Sequence, residues 1–299
     1  MKKVVLSVVA AVAMSGSAFA ADMPVKAAKV AAAPATPAFD IAFGAWVGSD
    51  YNFRGVSQSN REASGGIYIE PQFNTPIGQF YIGTAVSRID WPSNLGFTDP
   101  SAEVDLYGGW RNTFGALSTD LGAIYYYYPS ETSNGATSAS DFWEIYAKLA
   151  YAITPDLTIG ANGFYTPDLL HYSTTFAALA PGNNDKADAF YGSITGKWVT
   201  PWKWGDVGTY VSGELGHWWI DGSGFVASGF GDPDYTYWNV GLAFTYKVFT
   251  LDLRYHGTDQ SRTDCGNFLM TAGSPTKWCN DTFIATLKVD TTLSALMAK

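Results

Sequence analysis

Ionisable side chains recur at every second position in three segments of this chain. In AEVDLYGGWR, Glu103, Asp105 and Arg111 share one parity while Val104, Leu106 and Trp110 share the other. In WEIYAKLAY, Glu144, Tyr146 and Lys148 oppose Ile145, Ala147, Leu149 and Tyr151, and in LDLRYHG, Asp252, Arg254 and His256 oppose Leu251, Leu253 and Tyr255. Successive side chains of a strand point to opposite faces, so each segment carries one charged face and one apolar face. Continuing that parity adds the acids Asp50, Glu70, Asp120, Glu214 and Asp290 and the bases Arg54, Lys197, Lys247 and Lys288 as candidates for the same polar lining. A lining of both signs can do two things. It can neutralise itself as salt bridges in a filled interior, or it can edge a constricted water path and select ions.

Catalytic and metal patterns are sparse. The histidines are His171, His217 and His256. HYS at 171–173 has the His-x-Ser spacing of outer-membrane lipid A deacylases, with Asp168 or Asp185 available to orient the base. Two residues at that spacing arise often by chance, so a lipid-modifying enzyme ranks third among the readings. No carboxylate or cysteine cluster gathers near His217 or His256, so no metal and no cofactor is expected. Cys265 and Cys279 bracket one loop, CGNFLMTAGSPTKWC, and two cysteines in an exported chain predict a disulfide. The GG pairs at 65–66 and 108–109 fit strand curvature and not phosphate binding, because no strand-to-helix context follows them.

The elements that position these residues read as strands. Alternation predicts twelve, at 40–53, 65–74, 79–89, 102–112, 116–128, 141–152, 157–166, 188–199, 207–219, 235–247, 249–258 and 281–290. Several reach the roughly nine to eleven residues with which a tilted strand crosses a bilayer. Connections alternate between short (TPIG, TFG, TPD) and long (near 129–140, 167–187 and 259–280), the layout of an outer-membrane barrel with short periplasmic turns and long extracellular loops. Aromatics make up 16% of the chain and charges only 15%, against about 25% charged in a soluble domain. Such a stock of rings suits two lipid–water interfaces.

The first twenty residues, with Lys2, Lys3, a short apolar core and SAFA, predict a signal peptide cut after Ala20. Residues 21–39 read as a flexible periplasmic lead-in and 40–299 as the barrel. Cleavage makes the net charge of −9 more negative still, which disfavours nucleic acid as a partner. In the first strand, Asp50, Asn52 and Arg54 continue the lumen parity. Tyr51 and Phe53 are then interface aromatics, Arg54 stands at the outer mouth, and GVSQSN begins the first external loop.

SDYNFRGVSQS at 49–59 resembles the N-terminal signature of the TorF-like porins, a proteobacterial family of outer-membrane proteins. AEVDLYGGWR, YYYYPS at 125–130 and FWEIYAKLAY at 142–151 are similar to the same family. The likeness covers about residues 40–165 well and the remainder loosely, and it implies an outer-membrane β-barrel with a channel role. The ending SALMAK departs from the terminal aromatic that many barrels present to assembly factors.

The expectation is therefore an all-β, antiparallel transmembrane barrel of twelve strands in the bacterial outer membrane. It is expected to act as a passive, mildly cation-selective pore for small solutes and not as an enzyme. Lipid, the barrel-assembly machinery and small solutes are its expected partners. The competing reading is a closed structural or surface-interaction barrel that carries no current.

Overall fold

The computed structural model describes residues 37–91, 100, 102–129, 140–173, 187–269 and 274–297. The predicted signal peptide and most of the lead-in lie outside them. Twelve antiparallel strands of ten to thirteen residues form a closed barrel. In chain order these are β1 (Phe39–Gly48), β4 (Ser64–Thr75), β5 (Gly78–Arg88), β6 (Ala102–Phe114), β7 (Leu117–Tyr127), β8 (Phe142–Ala152), β9 (Leu157–Thr166), β10 (Ala189–Val199), β11 (Gly208–Ile220), β12 (Tyr235–Tyr246), β13 (Phe249–Thr258) and β14 (Thr282–Thr292). The numbers β2 (Asn52–Phe53) and β3 (Val56–Ser57) belong to a small hairpin paired only with itself. Closure comes from β1 against β14, in register from Ala42 opposite Thr292 to Gly48 opposite Thr286.

The alternation explains why this closed sheet forms. Along β8, Phe142, Glu144, Tyr146, Lys148 and Ala150 are buried while Trp143, Ile145, Leu149 and Tyr151 are exposed. The outward set continues round the barrel through Ile67, Ile82, Leu106, Ile194, Leu215 and Phe283, each at least half exposed. In water such a belt would be a large apolar patch. In hydrocarbon it is the required surface, and closure leaves no backbone edge unpaired. No helix among the described residues is long and apolar enough to cross a membrane.

Short turns cluster at one end and long connections at the other, as the loop rhythm predicted. The structure departs from the sequence reading in the first strand, which stops at Gly48 instead of running to 53. The chain then folds into the barrel, so Tyr51, Phe53 and Arg54 are buried and Val56 and Ser57 with them. Tyr51 and Phe53 are not interface aromatics, Arg54 lies near the long-loop end of the barrel beside Glu144, Trp218 and Tyr235 but is wholly buried there, and GVSQSN begins inside the barrel and not in an external loop. The physical cause is a reversal at Arg54 and Gly55, whose φ angles are 47° and 94°. A side chain at Gly55 would collide with Thr258 and Tyr237, so only glycine lets the hairpin seat this closely. Lys247, expected along the lumen wall, is exposed in the β12–β13 turn at φ 54°.

Candidate functional site

The inward segment from Asp50 to Glu62 is knotted around one carboxylate. Asp50 accepts hydrogen bonds from Ser57 Oγ at 2.6 Å, Ser59 Oγ at 2.9 Å and Arg61 Nη1 at 3.1 Å. Burial raises the Asp50 pKa, and those three donors work against the rise. Gly55 N donates to Asn52 Oδ1 at 2.9 Å and closes the hairpin turn. These bonds give the segment its own internal framework, and it sits in the barrel as a compact plug.

Arg54 stands at the tip of that plug and is fully buried. Its Nη1 and Nη2 donate to Glu144 Oε1 and Oε2 on β8 at 2.7 and 2.8 Å, a bidentate pair. Four rings surround the guanidinium: Phe53 of the plug at 4.8 Å, Phe164 of β9 at 4.5 Å, Tyr191 of β10 at 4.4 Å and Trp218 of β11 at 4.6 Å. Each lies within the range of a cation–π contact. Burial opposes the charge on Arg54, but Glu144 outweighs it and holds the group protonated more firmly than a free arginine. Tyr126 donates to Glu144 Oε2 at 2.9 Å, and Tyr235 donates to the Arg54 carbonyl at 2.9 Å.

Most of the predicted lining residues face the interior, and the structure shows how they are satisfied. Glu103 accepts from Tyr51 at 2.6 Å and from Tyr128 at 2.9 Å. Asp105 is buried on the same strand, two positions along. Toward the short turns Arg111 grips Glu70 at 2.7 Å and Asp120 at 3.0 Å, with its guanidinium 3.6 Å from the Tyr81 ring centroid. Lys148 Nζ sits 4.2 Å from the Tyr146 ring. On the opposite wall Arg254 pairs with Asp252 at 2.8 Å and donates to Ser212 at 2.7 Å. Glu214 accepts from Tyr191 at 2.9 Å, and His256 shares a 2.8 Å hydrogen bond with Tyr237. Lys197 lies over Tyr210 at 3.9 Å, Asp290 accepts from Tyr68 at 3.0 Å, and Lys288 stands opposite Trp46 in the β1–β14 register.

Tyrosine is what sequence reasoning missed. Tyr68, Tyr81, Tyr107, Tyr126, Tyr146, Tyr191 and Tyr237 all point inward, several donating to carboxylates, so much of the aromatic load does not line interfaces. The signal was present, since Tyr146 shares the parity of Glu144 and Lys148. Glycine makes room for them: a Cβ at Gly109 would overlap the Tyr81 hydroxyl.

A lid of loops seats the plug from above. Cys265 and Cys279 form a disulfide in the β13–β14 connection, as predicted. Arg61 donates to the carbonyls of Lys277, Trp278 and Asn280 within that connection, at 3.0, 2.6 and 2.6 Å. Phe268, at the end of the short helix Arg262–Phe268, packs on Trp218, Phe225 and Tyr235. Between lid and plug a cavity of about 40 Å³ remains, lined by Phe53, Val56, Trp218 and Trp278 among others.

The His-x-Ser stretch begins in the short turn Leu169–His171 that follows β9. Ser173 Oγ donates directly to Asp168 at 2.6 Å, and His171 adopts φ 51° beside the kinked Leu170. Asp185 lies outside the described residues. His217 has the outward parity of β11, its ring 4.6 Å from that of Trp219. No group of three or more His, Cys, Asp or Glu suited to a metal occurs among the described residues.

A family model describing a bacterial protein of unknown function (Gcw_chp) matches residues 31–289. The chain belongs to that family. The description assigns it no activity, and the TorF-like porin designation stays with the resemblance alone. No curated protein matches the chain. Among solved structures it is similar to the COG4313 outer membrane channel from Pseudomonas putida F1, at 12% identity and TM-score 0.47 over 87% of this chain and 97% of that one. It is also similar to OmpT of Vibrio cholerae, at 12% identity and TM-score 0.35 over 85% and 96%. LpxR from Salmonella typhimurium matches at 9% identity and TM-score 0.39 over 83% and 99%.

Proposed function

We propose that the protein is an outer-membrane channel for small solutes, exported by its signal peptide, whose resting state is shut by the Asp50–Glu62 segment. The observation that carries this reading is the origin of the obstruction. A barrel meant only to stay closed can fill its interior from its strands, whereas here Arg54 arrives on the connection between β1 and β4. The wall behind it carries Glu103, Asp105 and Glu144, so displacement of the plug exposes a negative lining. Low-dielectric walls focus such a field, and cations pass in preference to anions. Lipid surrounds the apolar belt, the assembly machinery inserts the barrel, and the protein is not an enzyme. The bonding of Ser173 to Asp168 supports that last point.

Conductance of refolded protein in a planar bilayer tests the reading, with reversal potentials measured under a KCl gradient. Channel openings with a mild cation preference are expected, weakening toward 1 M salt as the Debye length falls to ~3 Å. Anion preference refutes the charge argument. Absence of current at every voltage, in the wild type and in Glu144→Gln, refutes the channel and favours a closed structural barrel. That second reading draws on Glu70, Asp120 and Glu144, which are almost wholly buried.

A further inference from the structure

The Arg54 cage can outlast the plug that fills it. Of the groups around the guanidinium, only Phe53 belongs to the plug. Glu144, Phe164, Tyr191 and Trp218 come from the consecutive strands β8, β9, β10 and β11, and Tyr126 on β7 hydrogen-bonds Glu144. Withdrawing the segment would therefore leave a rigid, strand-borne pocket with a bidentate carboxylate at one side and three aromatic faces around it. Arg54 differs in this from the other lumen arginines. Arg111 and Arg254 sit on strands and pair with strand-borne acids. Arg61, also on the plug, spends its donors on Asp50 and on lid carbonyls.

We infer that this cage is a binding site for solutes bearing a guanidinium group, with Arg54 as its resident occupant. The inference rests on the reading of the segment as a removable plug. Two features select the ligand class. A planar fork of N–H donors that also carries a positive charge matches the two oxygens of Glu144 and balances their charge, whereas a neutral fork supplies the geometry without the charge and an anion is repelled. The three rings favour a weakly hydrated, delocalised cation over a compact metal ion. Charge balance adds a coupling. With Arg54 gone, Glu144 joins Glu103 and Asp105 on a wall with one compensating cation fewer, and burying that excess is costly. Entry of a cationic solute relieves the cost, so the site favours an open plug when its ligand is present.

Arg54→Ala vacates the cage without touching its walls. The full-length variant, refolded in detergent, is titrated with methylguanidinium chloride, with methylurea as the neutral isostere and NaCl as the ionic control. A saturable rise in Tm on the order of 5 °C at a hundredfold excess over Kd is expected for methylguanidinium alone. Wild type, where the ligand must first displace Arg54, should show a much weaker response at the same concentration, and Arg54→Ala/Glu144→Gln should lose it. If Arg54→Ala does not fold unaided, the refolding yield is read instead, and recovery by methylguanidinium but not methylurea is the supporting result. An equal response in wild type, an equal response to methylurea, or no saturable response and no recovery overturns the proposal. Current is not measured here, so the two ideas fail separately. A barrel that never conducts yet shows this shift keeps the site, and one that conducts without it keeps only the channel.

Discussion

Replacing Glu144 by Gln keeps the side-chain volume and removes one charge from the best-buried ion pair among the described residues. Arg54 and Glu144 are 0% and 1% exposed, and their two hydrogen bonds are 2.7 and 2.8 Å long. Removing one partner of such a pair costs about 3–5 kcal/mol, because the remaining charge stays buried without compensation. The four rings around Arg54 remain, which places the expected loss near the lower end. The loss weighs on the seated plug and not on the barrel ladder, since an unseated Arg54 recovers water. At ~1.4 kcal/mol per decade, the equilibrium between seated and released plug should shift at least about a hundredfold. Trypsin reads this directly. The Arg54–Gly55 bond is buried in the closed form, and when reclosing is fast the cleavage rate tracks the open population. Folded wild type and Glu144→Gln are compared for cleavage after Arg54, with cleavage after the half-exposed Arg88 as the internal standard. A rise of threefold or less at Arg54, with Arg88 unchanged, would refute the claim that this pair holds the plug.

Leu106→Arg or Leu253→Arg, on the outward face, should destabilise the barrel by about 2–4 kcal/mol if placed near mid-membrane. The same change at Gln72 or Ser193 on the inward face should be better tolerated, and equal sensitivity in urea unfolding would remove the face assignment. Reducing Cys265–Cys279 opens a loop with a sequence separation of 14 and should cost roughly 3 kcal/mol of loop stability; two free thiols in unreduced peptides by mass spectrometry would dismiss the bridge. Arg61→Ala breaks the bonds to Lys277, Trp278 and Asn280, so hydrogen exchange should accelerate in both the plug and the disulfide loop, and protection kept in either one would disprove the latch. Glu103→Gln with Asp105→Asn should weaken cation preference in channels whose plug is released by Glu144→Gln, and an unchanged reversal potential would show that these acids do not face the path.

Period-two alternation determined most of the architecture from sequence. A one-residue slip would turn Glu144 and Lys148 to hydrocarbon and Ile145 and Leu149 inward, so face and register of β8 follow from the order of residues alone. The two-beat rhythm of connections likewise carried the barrel, and two cysteines in one loop carried the disulfide. The first strand shows where local pattern stops informing. Asp50, Asn52 and Arg54 continue the alternation beyond Gly48, and nothing local distinguishes a longer strand from a chain that reverses at Gly55 and enters the lumen. That choice was made by partners far away in sequence: Glu144, Phe164, Tyr191 and Trp218 form a cage that exists only once four other strands have closed beside one another. The inward tyrosines follow the same logic, since a ring with a hydroxyl suits a lipid interface and a buried carboxylate equally well. Which it meets is decided by the side of the closed sheet on which it falls, and by the acid that closure brings within hydrogen-bond reach.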